Sequence, residues 1–85
     1  MNYTQNQINT LSAASTLLDY LSNLLRLMSD TSKSMAEIYK RCQKDGWSEA
    51  DKLLFESDEL ALKAYKLKYQ EANKMHSDLY RWMHD

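Results

Sequence analysis

The chain has no proline, one glycine (Gly46) and one cysteine (Cys42). Without proline nothing forces a break in a helix, so Gly46, just past mid-chain, is the one natural breaking point. A lone cysteine excludes an intrachain disulfide framework and fits a reducing compartment, with the cytoplasm as the default. No stretch approaches the ~18 apolar residues that span a bilayer, so no membrane insertion is expected. The first residues lack the basic and apolar regions of a Sec-type signal. Net charge is only −1 over 85 residues, which gives no bulk attraction for polyanions or membranes. No glycine-rich phosphate loop or paired-carboxylate cleft is present. The expectation is therefore no catalytic residue, no cofactor and no enzyme.

The strongest positive signal is the turn around Gly46. Lys40, Arg41 and Lys44 suit the negative end of a helix dipole, and a glycine after them reads as a left-handed helix stop. Ser48 stands where an N-cap belongs. Asp51 three residues on can complete a variant capping box, with Glu49 adding negative charge to the first turn. Trp47 lies between stop and start, placed to cover the junction. A stop and a start this close make the two helices antiparallel neighbours.

Before the turn, with residues 1–4 expected to fray, apolar residues recur at helical spacing. Leu11, Leu18, Leu25, Ser32 and Tyr39 hold one heptad row, and Ala14, Leu21, Met28, Met35 and Cys42 hold another. Together they read as an a/d seam, flanked by Leu17, Leu24, Thr31 and Ile38. After the turn the apolar stripe takes in Leu53, Leu54, Leu60, Ala61, Ala64, Leu67, Ala72, Met75, Leu79, Trp82 and Met83, with Tyr65 and Tyr69 alongside. Each helix should be on the order of 50–60 Å long. Residues 49–59 carry Glu49, Asp51, Glu56, Asp58 and Glu59 against Lys52, a net of −4. Residues 33–45 carry Lys33, Lys40, Arg41 and Lys44 against Glu37 and Asp45, a net of +2. Opposite charges therefore meet across the turn and favour this register.

The predicted fold is an all-α antiparallel two-helix hairpin: one domain, with helix 5–44, turn 45–48 and helix 49–83. Its apolar arc is too wide for one neighbour, since residues 17–28 place leucines, Tyr20 and Met28 over roughly 180° of the first helix. Such surplus apolar surface marks an association face, so a four-helix bundle by homodimerisation, or docking on another protein, is expected. The candidate partner-binding residues are Leu17, Tyr20, Leu24 and Leu27, together with Tyr80, Arg81 and Trp82, residue types enriched at binding hot spots. On this reading Leu24→Asp weakens association while sparing the hairpin.

Other chemistry is less well founded. His76 and His84 are eight residues apart, too far to grip one ion as helical histidines at i,i+4 do, so no metal site is expected. Cys42 sits in a seam row and reads as a small buried hydrophobe rather than a nucleophile. Lys63, Lys66, Lys68, Lys74 and Arg81 interleave with Tyr65, Tyr69 and Tyr80. Lys63, Lys66, Lys74 and Arg81 are the candidate nucleic-acid face, combining phosphate contact with base stacking.

In size and architecture the chain resembles the Trp-x-Gly family of small secreted helical hairpins. The turn here reads Gly46-Trp47-Ser48-Glu49, with glycine before tryptophan, and Tyr80 is followed four residues later by His84 rather than an acid. Neither the signature nor the export pattern of that family is met, and the resemblance is confined to shape. The expected function is a non-enzymatic protein–protein interaction module: an adaptor, chaperone or inhibitor. The alternative is a nucleic-acid-associated accessory protein.

Overall fold

Gly46 does what a lone glycine in a helical chain must. The computed structural model describes the backbone of residues 4–84 and the side chains of residues 4–81. Helix α1 runs over Gln5–Asp45 and helix α2 over Glu49–His84, separated by residues 46–48. Among the described residues there is no strand, and no helix is long and apolar enough to cross a membrane. The helices lie side by side as an antiparallel hairpin extending 63 × 17 × 16 Å. Its radius of gyration of 19.0 Å compares with about 12 Å for a compact chain of this length.

Both helix starts are capped by side chains. Thr4, rather than fraying, is the N-cap of α1. The Gln7 N–H donates to Thr4 Oγ1 at 3.2 Å and the Thr4 N–H donates to Gln7 Oε1 at 2.9 Å, the reciprocal pattern of a capping box. Residues 1–3, also expected to fray, lie outside the described residues. At α2 the Asp51 N–H donates to Ser48 Oγ at 3.1 Å, and the Ser48 hydroxyl donates to Asp51 Oδ2 at 2.9 Å. The acid therefore closes its cap through the hydroxyl, a departure from the usual box.

Gly46 takes φ 89°, ψ 165°. The positive φ is as expected, but ψ lies far from the left-handed helical well, in a region only glycine visits freely. The Gly46 N–H still donates to Cys42 O at 2.8 Å, so α1 remains hydrogen-bonded to its end. Trp47 then sits edge-on to both helices. Its ring is 6.1 Å from Tyr39 of α1 and 5.4 Å from Phe55 of α2, at interplanar angles of 68° and 88°, favourable aromatic geometry.

The hairpin seam differs from the one expected. On α1 the residues turned inward are Thr10, Leu17, Leu24, Thr31 and Ile38, with Ala14, Leu21, Met28, Met35 and Cys42. Leu24 is only 3% exposed. The row Leu11, Leu18, Leu25, Ser32 and Tyr39 lies outside. The helix is thus rotated by one row, roughly 50°, from the expected phase. On α2 the inward rows are Asp51, Asp58, Tyr65, Ala72 and Leu79, and Phe55, Leu62, Tyr69 and His76. The tyrosines expected beside the seam are in it, and of the leucines expected in it Leu79 is inside while Leu53, Leu54, Leu60 and Leu67 are out.

Two cross-helix bonds account for this phase. Arg41 pairs with Asp51, and the Ser34 hydroxyl donates to Asp58 Oδ2 at 2.8 Å. Ser34 and Arg41 are one heptad apart, as are Asp58 and Asp51, so one register serves both. These bonds draw the Ser34–Arg41 side of α1 toward α2 and swing Leu18 and Leu25 away.

Two expectations follow. Gly46→Ala should lower hairpin stability by about 1–3 kcal/mol through backbone strain, since an added Cβ meets nothing within 4 Å. Gly46→Asn should cost nearly as much, because asparagine eases only the left-handed helical well; thermal denaturation of both variants measures this. Leu24→Asp, expected from sequence to spare the hairpin, instead places a charge in its core and should abolish helicity measured by circular dichroism.

Candidate interaction surface

At the closed end, one carboxylate joins both helices and the turn. Asp51 accepts from Ser48 through Oδ2 and from Arg41 through Oδ1, and Cys42 lies against it, 2% exposed. The Ser48 hydroxyl, foremost, then the Cys42 thiol and the Arg41 guanidinium hold the Asp51 carboxyl below its usual pKa, outweighing partial desolvation. Burial, followed by the neighbouring carboxylate, pushes the Cys42 thiol up. A thiol held protonated is a poor nucleophile. This cluster is a structural clamp.

The rest of the molecule offers surface rather than cavity chemistry. Among the described residues no three His, Cys, Asp or Glu side chains gather as metal ligands. His76 is half-buried in the seam; the His84 side chain lies outside the described residues. What the hairpin does leave open is apolar. On one side of the α1 seam run Leu11, Leu18 and Leu25, with Ile8 behind; on the other run Tyr20 and Leu27. On α2, Leu53, Leu60 and Leu67 are 65%, 68% and 61% exposed, and Leu54 and Met75 are also exposed.

Compared with known proteins, the chain matches no family profile, no curated protein and no solved structure.

The candidate partner-binding residues fall into three groups. Leu17 is half-buried and Leu24 buried, both facing α2, so neither belongs to the outer surface. Tyr20, Leu27, Tyr80 and Arg81 are exposed. The side chain of Trp82 lies outside the described residues. Sequence reasoning missed Leu11, Leu18 and Leu25 as outer residues by assigning them to the seam. The Ser34/Arg41 and Asp58/Asp51 heptad match is the one trace of this phase in the sequence, but that these residues pair, and so fix the phase, is seen in the folded hairpin.

The candidate nucleic-acid residues are partly brought together. Lys63, Lys66, Lys74 and Arg81 are exposed and fall within an arc of roughly 100° on one outer side of α2, whereas Lys68 lies on the opposite flank. Tyr65 and Tyr69 are half-buried toward α1, so of the three interleaved tyrosines Tyr80 is the one exposed on the lysines' side of α2.

Because the folded pKa of Asp51 is depressed, its contribution to stability is complete above the unfolded carboxylate range near about pH 4. That contribution is lost as pH falls through the lowered folded value. Thermal midpoints followed from neutral pH to below that range should fall for the wild-type chain. The fall should be smaller for Asp51→Asn, which starts less stable because its amide cannot carry the charge that Arg41 meets.

Proposed function

We propose that this chain is a non-enzymatic protein–protein interaction module, an adaptor, chaperone or inhibitor, acting through the apolar rows its own hairpin leaves uncovered. The observation carrying this reading is the surface. The chain exposes 6688 Å², against roughly 5,200 Å² for a compact protein of its mass. The excess follows from the elongated shape, and the surface so exposed includes leucine and tyrosine in rows on both sides of the α1 seam. Full burial of an exposed leucine is worth about 1.5–3 kcal/mol, and these leucines are about half exposed, so each stands to gain about half of that and several in a row favour a further contact. A partner helix laid beside Leu11, Leu18 and Leu25, or beside Tyr20 and Leu27, would extend the hairpin toward a three- or four-helix bundle. The partner is another protein, a second copy of this chain, or both on different rows.

A second reading, nucleic-acid association, is supported by the shared outer side of Lys63, Lys66, Lys74 and Arg81. Glu56 and Glu59 border that side and Tyr65 and Tyr69 are turned inward, so its stacking would rest on Tyr80 alone of the three tyrosines.

Affinity purification from the source organism tests the main reading, with Leu18→Asp and Leu27→Asp as controls. A partner present in stoichiometric amount, or self-association, should be lost on at least one of these substitutions while helicity is retained. Indifference to both would overturn the reading. Salt-sensitive oligonucleotide binding, lost on changing Lys66 and Lys74 to glutamine, would favour the second reading.

A further inference from the structure

The heptad pattern of α2 contains two seams on opposite faces. The inner one faces α1. The outer one comprises Leu53, Leu60 and Leu67 in one row and Ala50, Ser57 and Ala64 in the next, spaced alternately three and four residues apart. All six are exposed, and the leucine row lies roughly 180° around the helix from the inner seam. Both seams can therefore be filled at once, without remodelling the hairpin. Bulky residues in one row and small ones in the next let two helix backbones approach closely, the leucine rows meeting along one side of the contact and the small residues along the other.

We infer that this ridge is a self-association seam, on which a second copy of the chain docks antiparallel about a two-fold axis near Leu60. The inference rests on the interaction-module reading and deepens it by naming the occupant of one surface. The argument for a second copy is charge. Apart from Asp51 and Asp58, which are bonded to α1, residues 49–59 carry Glu49, Glu56 and Glu59 against Lys52, a net of −2, while residues 61–71 carry Lys63, Lys66 and Lys68 against Glu71, a net of +2. A parallel pairing of two α2 helices sets like charge on like. An antiparallel pairing sets each acidic half on the basic half of the other copy.

The same axis serves at residue level. Leu53 and Leu67, Glu56 and Lys63, and Ser57 and Ala64 are each centred within half a residue of position 60. Turning one copy about that point puts Leu60 beside Leu60, Leu53 beside Leu67, and Glu56 beside Lys63 at the edge of the seam, each heterologous pair occurring twice. A self-complementary patch of this kind is what an isologous two-fold interface requires. The overlap is bounded by Glu71 at one end and by the turn before Glu49 at the other, a length of roughly 34 Å.

Sedimentation equilibrium and disulfide trapping test this directly. At micromolar concentration the wild-type chain should be dimeric. Leu60→Asp should weaken association at least about tenfold with helicity unchanged, since Leu60 takes no part in the hairpin seam. Glu56→Lys should also weaken it, and adding Lys63→Glu should restore it. In a Cys42→Ser background, Leu60→Cys should link to itself. Leu53→Cys and Leu67→Cys should link only when the two variants are mixed. A monomeric wild-type chain would overturn the inference, as would a dimer indifferent to Leu60→Asp or one in which Leu53→Cys links to itself. If association or capture of a foreign protein depends on Leu18 and not on Leu60, the interaction-module reading stands and this inference falls. If it depends on neither, both fall.

Discussion

The carboxylate of Asp51 is the fixed point of this molecule. It accepts from the Ser48 hydroxyl beneath it and the Arg41 guanidinium across the turn, with the buried Cys42 thiol against it. A helix held at its first turn has its rotation determined from there onward. With Asp51 facing α1, every residue at heptad spacing from it faces α1 too: Asp58, Tyr65, Ala72 and Leu79. The Ser34–Asp58 bond repeats the same register one heptad further on. An isolated exposed ion pair is worth little, but here the pair belongs to a network that also contains a helix cap and a buried side chain. Its effect is on phase more than on total stability.

That phase has a cost. The inner seam accepts Thr10, Thr31, Asp58 and His76, while Leu18, Leu25, Leu53, Leu60 and Leu67 stay in water. A hairpin chosen only to bury the most apolar surface would rotate both helices. The hydrophobic core is correspondingly thin, with Leu21, Leu24, Ile38, Cys42 and Ala72 its buried members among the described residues. Two helices can cover only one stripe of each other, and this chain carries more than one stripe per helix. Uncovered stripes at heptad spacing are the raw material of further helix packing, and this links the rotation at Asp51 to the interaction-module reading.

A hairpin of this kind does not by itself specify a role, because the same shape can carry many partners. What distinguishes this one is the arrangement of its surfaces. The α1 rows lie beside the seam, where an added helix would contact both members of the hairpin. The α2 ridge lies behind it, where an added helix would contact α2 alone. The first geometry suits insertion into a bundle and the second suits a symmetric pairing of helices, so the two need not compete.

Much of the architecture was legible in the residues. A single glycine in a proline-free chain, basic residues before it and Ser48 with Asp51 after it determined two helices and their antiparallel pairing, because those signals act over a few residues of local backbone. The helix ends read from sequence, 44 and 49, differ from the observed Asp45 and Glu49 by one residue at most. The faces of the helices were not legible in the same way. An apolar arc of roughly 180° is consistent with several rotations of a helix, and hydrophobicity alone ranked Leu18 and Leu60 above Thr31 and Asp58. Cross-helix bonds between residues distant in sequence, Arg41 with Asp51 and Ser34 with Asp58, chose among those rotations. Only the packed hairpin brings such partners together, so only the tertiary structure could decide which leucines close the fold and which remain outside it.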